Sequence, residues 1–334
     1  MRIAVIGAGA IGCLVAAYLK EKGQEVTLVS QTKAVKIVQN QGILVSGVRG
    51  NLSVQIPVAD TLNYIPDLAI LATKTQDVNA ALQNNSHLLQ NANFLTIQNG
   101  VRSDKLAACY VPAEKIISSI VMFGATSLEP GKVVHNFEGS WVLGGFAHPA
   151  PSASLLAVSL VLDKIFPTVI SENITGMKYL KIFVNANNCL PAITGKSMQE
   201  VFSDLAISRI SVAIWKEAFR VIEQAKINLV SLPDFPLENL TKLTNMPIEL
   251  SAQVFSERMK NLSKEPLYGS ILQSIMRGKL SEIDYINGEF VTLALDHHTQ
   301  APLNKVLVEM VHAVEKNHRF FSKEELIAKT KELI

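Results

Sequence analysis

The chain is poor in cysteine, in aromatic residues and in net charge. Its three cysteines, Cys13, Cys109 and Cys189, are odd in number, far apart and form no Cys-x-x-Cys pair. That excludes a disulfide scaffold and a thiolate zinc site, and points to free thiols in a reducing compartment. Formal net charge is +2, from 31 Lys and Arg against 29 Asp and Glu. So even a balance argues against a nucleic-acid or membrane-surface partner. The His297-His298 pair has no cysteine or carboxylate near it at metal-ligand spacing, so it reads as a helix end or loop and no metal is expected. The chain also lacks the roughly 18 to 20 uninterrupted apolar residues of a spanning helix.

What is present is a large apolar fraction. Of 334 residues, 48% are hydrophobic and 18% charged, enough for two globular domains of ordinary size. Ile3 to Leu19 carries no charged side chain and follows Arg2, the outline of a signal peptide. Gly7, Gly9 and Gly12 interrupt it, and Lys20-Glu21-Lys22 follows. A strand, a turn and a helix explain those glycines, whereas a signal peptide does not need them. The expected location is therefore cytoplasmic.

Short apolar runs alternate with helical segments through the first half. Strands are expected at 3–6, 25–29, 68–72, 94–97 and 115–120, and helices at 14–22, 32–40 and 77–89. The apolar residues are largely continuous, not alternating, as in a parallel sheet covered on both faces. This βαβ order predicts a Rossmann-type doubly wound sheet. Two β-like pieces around Pro130-Gly131 predict an antiparallel extension of that sheet. After a helix at 153–165 the pattern becomes almost wholly helical. The expected division is a dinucleotide-binding domain at 1–170 and a helical substrate domain at 171–334.

Gly7-Ala8-Gly9-Ala10-Ile11-Gly12 fits G-x-G-x-x-G between an expected strand and helix, with a second strand at Glu25. Gly7 permits the tight turn, Gly9 lets a pyrophosphate reach the backbone, and Gly12 allows close helix–strand packing. The helix N-terminus then offers free N–H groups to the phosphates. An acid at the end of the second strand would bind a ribose 2′-hydroxyl. This chain instead has Ser30-Gln31-Thr32-Lys33, with Lys36 a turn later. Either these cations meet a 2′-phosphate, favouring NADP over NAD, or they form a solvated helix face. Lys74 and Asn99-Gly100 follow later strands, at the C-terminal ends where ligands of such sheets bind.

In the second half, the expected helix 177–191 aligns Lys178, Lys181, Asn185 and Asn188 on one face. Such a stripe either meets a bound anion or faces solvent. Ser270, Ser274 and Glu282 would share a face if the helix ran unbroken past Gly278.

Together these residues resemble the ketopantoate reductase (2-dehydropantoate 2-reductase) family. The resemblance rests on Gly7 to Gly12, Lys74, Gln98-Asn99-Gly100, the hairpin with His135, Lys181-x-x-x-Asn185, Ser270, Glu282-Ile-Asp-Tyr-Ile-Asn-Gly288 and Ala301-Pro302. It implies hydride transfer from NADPH to the keto carbon of 2-dehydropantoate, giving pantoate for pantothenate and coenzyme A. It also implies that Lys181 is the general acid and that Glu282 orients the substrate hydroxyl. Asn185 and Ser270 would hold the substrate ends, and Asn99 would sit between cofactor and substrate. Three positions depart from the family pattern. Gln31 stands where many members have Arg. Cys189 falls where strict spacing asks for a second asparagine, a role transferred here to Asn188. Ser274 stands where an Asp is usual. A different 2-keto acid, or NADP binding without catalysis, remains an alternative. The expected state is a monomer or homodimer.

Overall fold

The computed structural model describes residues 1–30, 34–261, 263 and 265–334. The chain divides into two compact units, Met1–Ile174 and Thr175–Ile334.

The first unit contains strands β1 (Arg2–Ile6), β2 (Glu25–Val29), β3 (Ile43–Gly47), β4 (Leu52–Val54), β5 (Val58–Ala59), β6 (Leu68–Leu71), β7 (Asn93–Thr96), β8 (Ile116–Val121), β9 (Gly124–Glu129), β10 (Lys132–Phe137), β11 (Trp141–Gly145) and β12 (Thr168–Ile170). Its helices are α1 (Ala10–Glu21), α2 (Ala34–Gln41), α3 (Val78–Gln83), α4 (Arg102–Ala107) and α5 (Ala153–Leu162). Eight strands form one sheet in the order β12-β11-β8-β7-β6-β1-β2-β5. The run from β5 to β8 is parallel, and β11 joins β8 antiparallel. This is the Rossmann-type sheet the apolar runs announce. Along β1, Ile3 and Val5 enter one core cluster while Ala4 and Ile6 enter another. Both faces of the sheet are therefore dry, which is why its strands read as largely apolar runs.

Two expectations change. The antiparallel extension exists, but β11 supplies it. The hairpin β9–β10 around Gly131 belongs instead to a separate four-stranded sheet, β4-β3-β10-β9. That sheet packs on α1, so α1 lies between two sheets. The Tyr18 hydroxyl on α1 meets His135 Nδ1 on β10 at 2.9 Å, and His135 Nε2 lies 3.0 Å from the Phe137 carbonyl. Because that carbonyl can only accept, Nε2 donates to it, and in the neutral ring Nδ1 accepts from Tyr18. Burial pushes His135 below the usual histidine range, which favours this neutral form. The helix expected at 77–89 is also interrupted. It holds at Val78–Gln83 and yields at Asn85. There the side-chain amide donates to the Ala81 carbonyl at 2.8 Å and accepts from Leu62 N at 2.8 Å, competing with the helical backbone.

The second unit, with the helix that leads into it, is helical: α6 (Ile174–Ala186), α7 (Cys189–Thr194), α8 (Met198–Phe202), α9 (Leu205–Gln224), α10 (Leu237–Asn245), α11 (Ile248–Lys260), α12 (Ser270–Met276), α13 (Asn287–Asp296), α14 (Pro302–Asn317) and α15 (Lys323–Thr330). The long helix α9 is central. Trp215 Nε1 donates to the Phe183 carbonyl of α6 at 2.7 Å, and Phe183 packs on Phe290 of α13 at 4.9 Å. His297 and His298 do mark a helix end, just past α13. Among the described residues no helix is long and apolar enough to cross a membrane.

Candidate functional site

The glycine turn lies between β1 and α1, and its three glycines have different reasons to be there. Gly7 has φ of +121°, and a Cβ there would lie 2.7 Å from backbone atoms of Ala72 and Thr73. At Gly12 a Cβ would stand 2.1 Å from the Gly7 carbonyl oxygen. The protein's own packing therefore requires both. Gly9 is different: φ is −79° and a Cβ would meet nothing nearer than 3.9 Å. Packing within the protein does not require its missing side chain, and the space beside it is open to a ligand's approach. Gly9 is also the N-cap of α1 and makes no side-chain cap, so the first N–H groups face outward with the positive end of a twelve-residue helix. Ala8, Ala10 and Ile11 complete the turn; none carries a charge that would repel a pyrophosphate. The cradle fits a dinucleotide.

Lys74 and Asn99 lie on the turns that follow β6 and β7, at neighbouring strand ends. Lys74 is half-buried and caps a short 3-10 turn, Thr75–Asp77. Thr75 Oγ1 donates to the Asn99 carbonyl at 3.4 Å. Gln98 ties the same strand ends, donating from Nε2 to the carbonyls of Leu71 (2.8 Å) and Thr73 (3.0 Å). Within the sequence motif Gln98 had no separate role; the fold makes it the clasp under Lys74 and Asn99. Ser30 is buried at the end of β2, and Lys36 is exposed on α2. Gln31 and Lys33 lie outside the described residues.

In the second unit the expected helix 177–191 is two helices. α6 ends at Ala186 and α7 begins at Cys189. Pro191 explains the break, because it has no N–H to donate to Asn187 and its ring crowds that carbonyl. Asn188 therefore sits in the joint, its N–H donating to the Asn185 carbonyl at 2.9 Å. The stripe does not face solvent. Lys178 is 3% exposed, and Lys181, Asn185 and Asn188 are half-buried. Next to Asn188, the buried Asn187 has no hydrogen-bond partner for either side-chain atom among the described residues, a demand a polar ligand could meet.

Lys181 is the most perturbed basic group. Burial first and the neighbouring Lys178 second lower its pKa, Glu282 raises it in part, and the balance stands at about 8, down from 10.5. The tertiary fold thus brings Lys181 and Glu282, a hundred residues apart, within electrostatic reach. Glu282 is half-buried at the head of the 3-10 turn Ile283–Tyr285.

The segment 270–282 is not one helix. α12 ends at Met276 and Gly278 takes φ of +64°. Ser270 is exposed at the first position of α12, behind Gly269, and a Cβ on Gly269 would lie 3.0 Å from the Asn188 side chain. So Asn188 and the start of α12 are neighbours, and the helix break removes Ser270 and Ser274 from any common helical face with Glu282. Ser274 Oγ donates to the Ser270 carbonyl at 3.0 Å. Cys189 is wholly buried, its Sγ lies 3.8 Å from Asn287 Nδ2, and burial pushes its thiol up.

Sequence reasoning missed a buried polar chain behind these residues. Asn287 Nδ2 donates to Asn304 Oδ1 at 3.0 Å, and Asn304 Nδ2 donates to Glu217 Oε1 at 2.9 Å. The Glu217 carboxylate also accepts the backbone N–H of Leu303 (3.0 Å) and Asn304 (2.8 Å), capping α14. One signal was available: a lone glutamate on the apolar face formed by Ile210, Ile214 and Val221.

Two family models match most of the chain: ketopantoate reductase PanE/ApbA over residues 3–148 and its C-terminal model over 173–315. A 2-dehydropantoate 2-reductase of Pyrococcus horikoshii is 29% identical, covering 94% of this chain and 98% of the relative. One from Aquifex aeolicus is 25% identical, covering 94% and 97%. Among solved structures, a D-mandelate dehydrogenase with NADH and anilino(oxo)acetate aligns with TM-score 0.79 at 24% identity, covering 95% and 99%. A PanE/ApbA family ketopantoate reductase from Ralstonia eutropha aligns with TM-score 0.79 at 23% identity, over the same shares. With both models matched in order along one chain, this protein belongs to the ketopantoate reductase family, oxidoreductases that act on CH–OH groups.

Proposed function

We propose that the protein reduces 2-dehydropantoate to pantoate with NADPH. The observation that carries this reading is the pairing of Lys181, with its pKa near 8, and Glu282 in the second unit. The glycine cradle of the first unit supports the dinucleotide half of the reading, with Gly7 to Gly12 around the pyrophosphate and Lys74 and Asn99 toward the rest of the cofactor.

A bound reduced nicotinamide supplies the hydride for the keto carbon. Lys181 holds a proton at Nζ and passes it to the carbonyl oxygen as charge develops there. Its ammonium also stabilises that oxygen before the proton moves. Lowering the lysine pKa brings it near working pH, where an acid both keeps its proton and gives it up readily. Glu282 accepts a hydrogen bond from the substrate hydroxyl. Asn185, Asn188 and Ser270 offer amide and hydroxyl groups to the substrate ends. NADP over NAD is supported by the absence of an acid after β2 and by the cations Lys33 and Lys36.

A second reading, another small 2-keto acid, is favoured by Cys189 and Ser274. The cysteine is turned into the core, and the serine hydroxyl bonds its own helix backbone. Oxidation of NADPH and NADH followed at 340 nm, with ketopantoate and a panel of aliphatic and aromatic 2-keto acids, separates the readings. Ketopantoate with NADPH is expected to give the highest kcat/KM. Turnover of an aromatic keto acid with none of ketopantoate would overturn the first reading in favour of the second.

A further inference from the structure

The turn that carries Glu282 is fastened on both sides to a single helix. On one side the backbone N–H of Ser281 donates to Glu315 Oε1 at 2.7 Å. On the other, Asp284 Oδ1 lies 2.9 Å from His312 Nε2, and His312 Nδ1 lies 3.0 Å from Glu315 Oε2. Further on, Asn287 bonds Asn304. Asn304, His312 and Glu315 all belong to α14. At 100° per residue they fall within an arc of about 80° on its surface. Asp284 and Asn287 are thus the two polar letters of the Glu282 motif that are spent on α14, while Glu282 itself is among the charges that act on Lys181.

The chemistry at His312 is one-sided. A carboxylate accepts and does not donate, so an imidazole lying between two carboxylates satisfies both only when each ring nitrogen carries a proton. The bridge is therefore complete in the cation. The charged groups facing the ring are Glu315 from its own helix and Asp284 from the turn. Burial works against the charged ring, but the hydrogen bonds and charges of Asp284 and Glu315 outweigh it, and the pKa stands above the usual histidine value. No group of His, Cys, Asp and Glu among the described residues is arranged to hold a metal, so the three side chains serve one another.

We propose that His312, bridging Asp284 and Glu315, is a positioning residue that sets the placement of Glu282 toward the substrate. The inference rests on the reading of Glu282 as the substrate-orienting carboxylate. It touches no substrate itself. It acts by holding the turn Ser281–Tyr285 against α14, and the hold weakens as pH rises through the His312 pKa and the ring loses its second proton.

The test uses the full-length protein with His312→Ala and His312→Arg. Arginine keeps a cation with several donors at every working pH. In His312→Ala, backbone amides of Ile283 to Tyr285 are expected to exchange with solvent roughly tenfold faster, while those in the middle of α14 keep their rates. KM for the keto acid is expected to rise about 10- to 100-fold, the cost of a misplaced orienting group. KM for NADPH stays unchanged. His312→Arg should restore slow exchange and low KM. It should also abolish the rise in keto-acid KM with pH expected of the parent protein, while leaving the fall in kcat expected from Lys181. Exchange and KM both unchanged in His312→Ala would overturn the proposal. So would a change in one without the other, because the positioning role requires the two to move together. If the parent protein turned over no 2-keto acid, the functional reading would fall and the substrate-orienting role with it. The exchange measurement would then decide alone whether His312 holds the turn.

Discussion

In the first unit the candidate pyrophosphate cradle is made of backbone; in the second unit the candidate site is made of side chains. The cradle between β1 and α1 works through what Gly7, Gly9 and Gly12 lack, and through the outward N–H groups of a helix end. The Lys181 region works through charges placed by distant segments: Lys181 from α6, Glu282 from the turn before α13, Asn188 from a helix joint against Gly269. A backbone site is local, so a short motif describes it. A side-chain site in a helical unit needs support from behind. Here Glu217, Asn304 and Asn287 form one buried chain of hydrogen bonds and His312 with Glu315 forms a second brace. The lesson is that the two halves should fail differently when altered.

The sharpest contrast comes from Lys181→Ala. It is expected to lower kcat by about 100- to 10,000-fold, the usual contribution of a general acid, with NADPH affinity unchanged by fluorescence titration. An equal loss of cofactor affinity would break the division of labour between the units.

Next in size are the glycines. Gly9→Ala is expected to weaken NADPH binding roughly tenfold or more, about 1.4 kcal/mol, with an unchanged melting temperature, since a Cβ there meets only the Ala72 carbonyl oxygen at an ordinary 3.9 Å. Gly12→Val should instead prevent the first unit from folding, because its Cβ would enter the Gly7 carbonyl. Calorimetry of the two variants separates packing from ligand approach.

Proton supply gives a smaller, graded effect. In its proposed role as the acid Lys181 must be protonated, and with its pKa near 8 kcat should fall as pH rises through about 8. Glu282 raises that pKa and Lys178 lowers it. Glu282→Gln should therefore move the falling limb to lower pH, and Lys178→Met to higher pH. Shifts in the opposite directions would show that another group governs the limb.

The smallest expected effect decides between neighbours. Asn188→Ala should raise the keto-acid KM several-fold, of the order of one lost hydrogen bond, about 1 kcal/mol, with kcat nearly unchanged. Cys189→Asn should not improve KM. It should lower stability by roughly 1–3 kcal/mol by burying an amide with too few partners, as read from chemical denaturation.

Much of the first unit could be read directly. Largely apolar runs marked β1, β2, β6, β7 and β8, because a strand dry on both faces is apolar at most of its positions. The second sheet was not legible. β4 spans only three residues, and β3 pairs with β10 almost ninety residues later. No local pattern encodes that partner. In the second unit, the spacing of Lys181 and Asn185 was visible. The break at Asn187-Asn188 was not, although Pro191 signalled it. His312 carried no signal in the sequence, because Glu315 is an ordinary neighbour one turn along the same helix and Asp284 becomes its second partner only once the Glu282 turn lies against α14.

The sequence by itself determined the glycine turn, the doubly wound order of strands and helices, and the residue types available for proton transfer and anion binding. Those follow from local rules: steric space at a turn, the periodicity of burial, the chemistry of a lysine. Only the tertiary structure decided which glycines the protein's own packing requires, Gly7 and Gly12, and which it does not, Gly9. It alone joined Lys181 to Glu282, and it alone revealed that Asp284 and Asn287 face α14. Burial and distance belong to pairs of residues far apart in the chain, and they come into being only when the chain closes on itself.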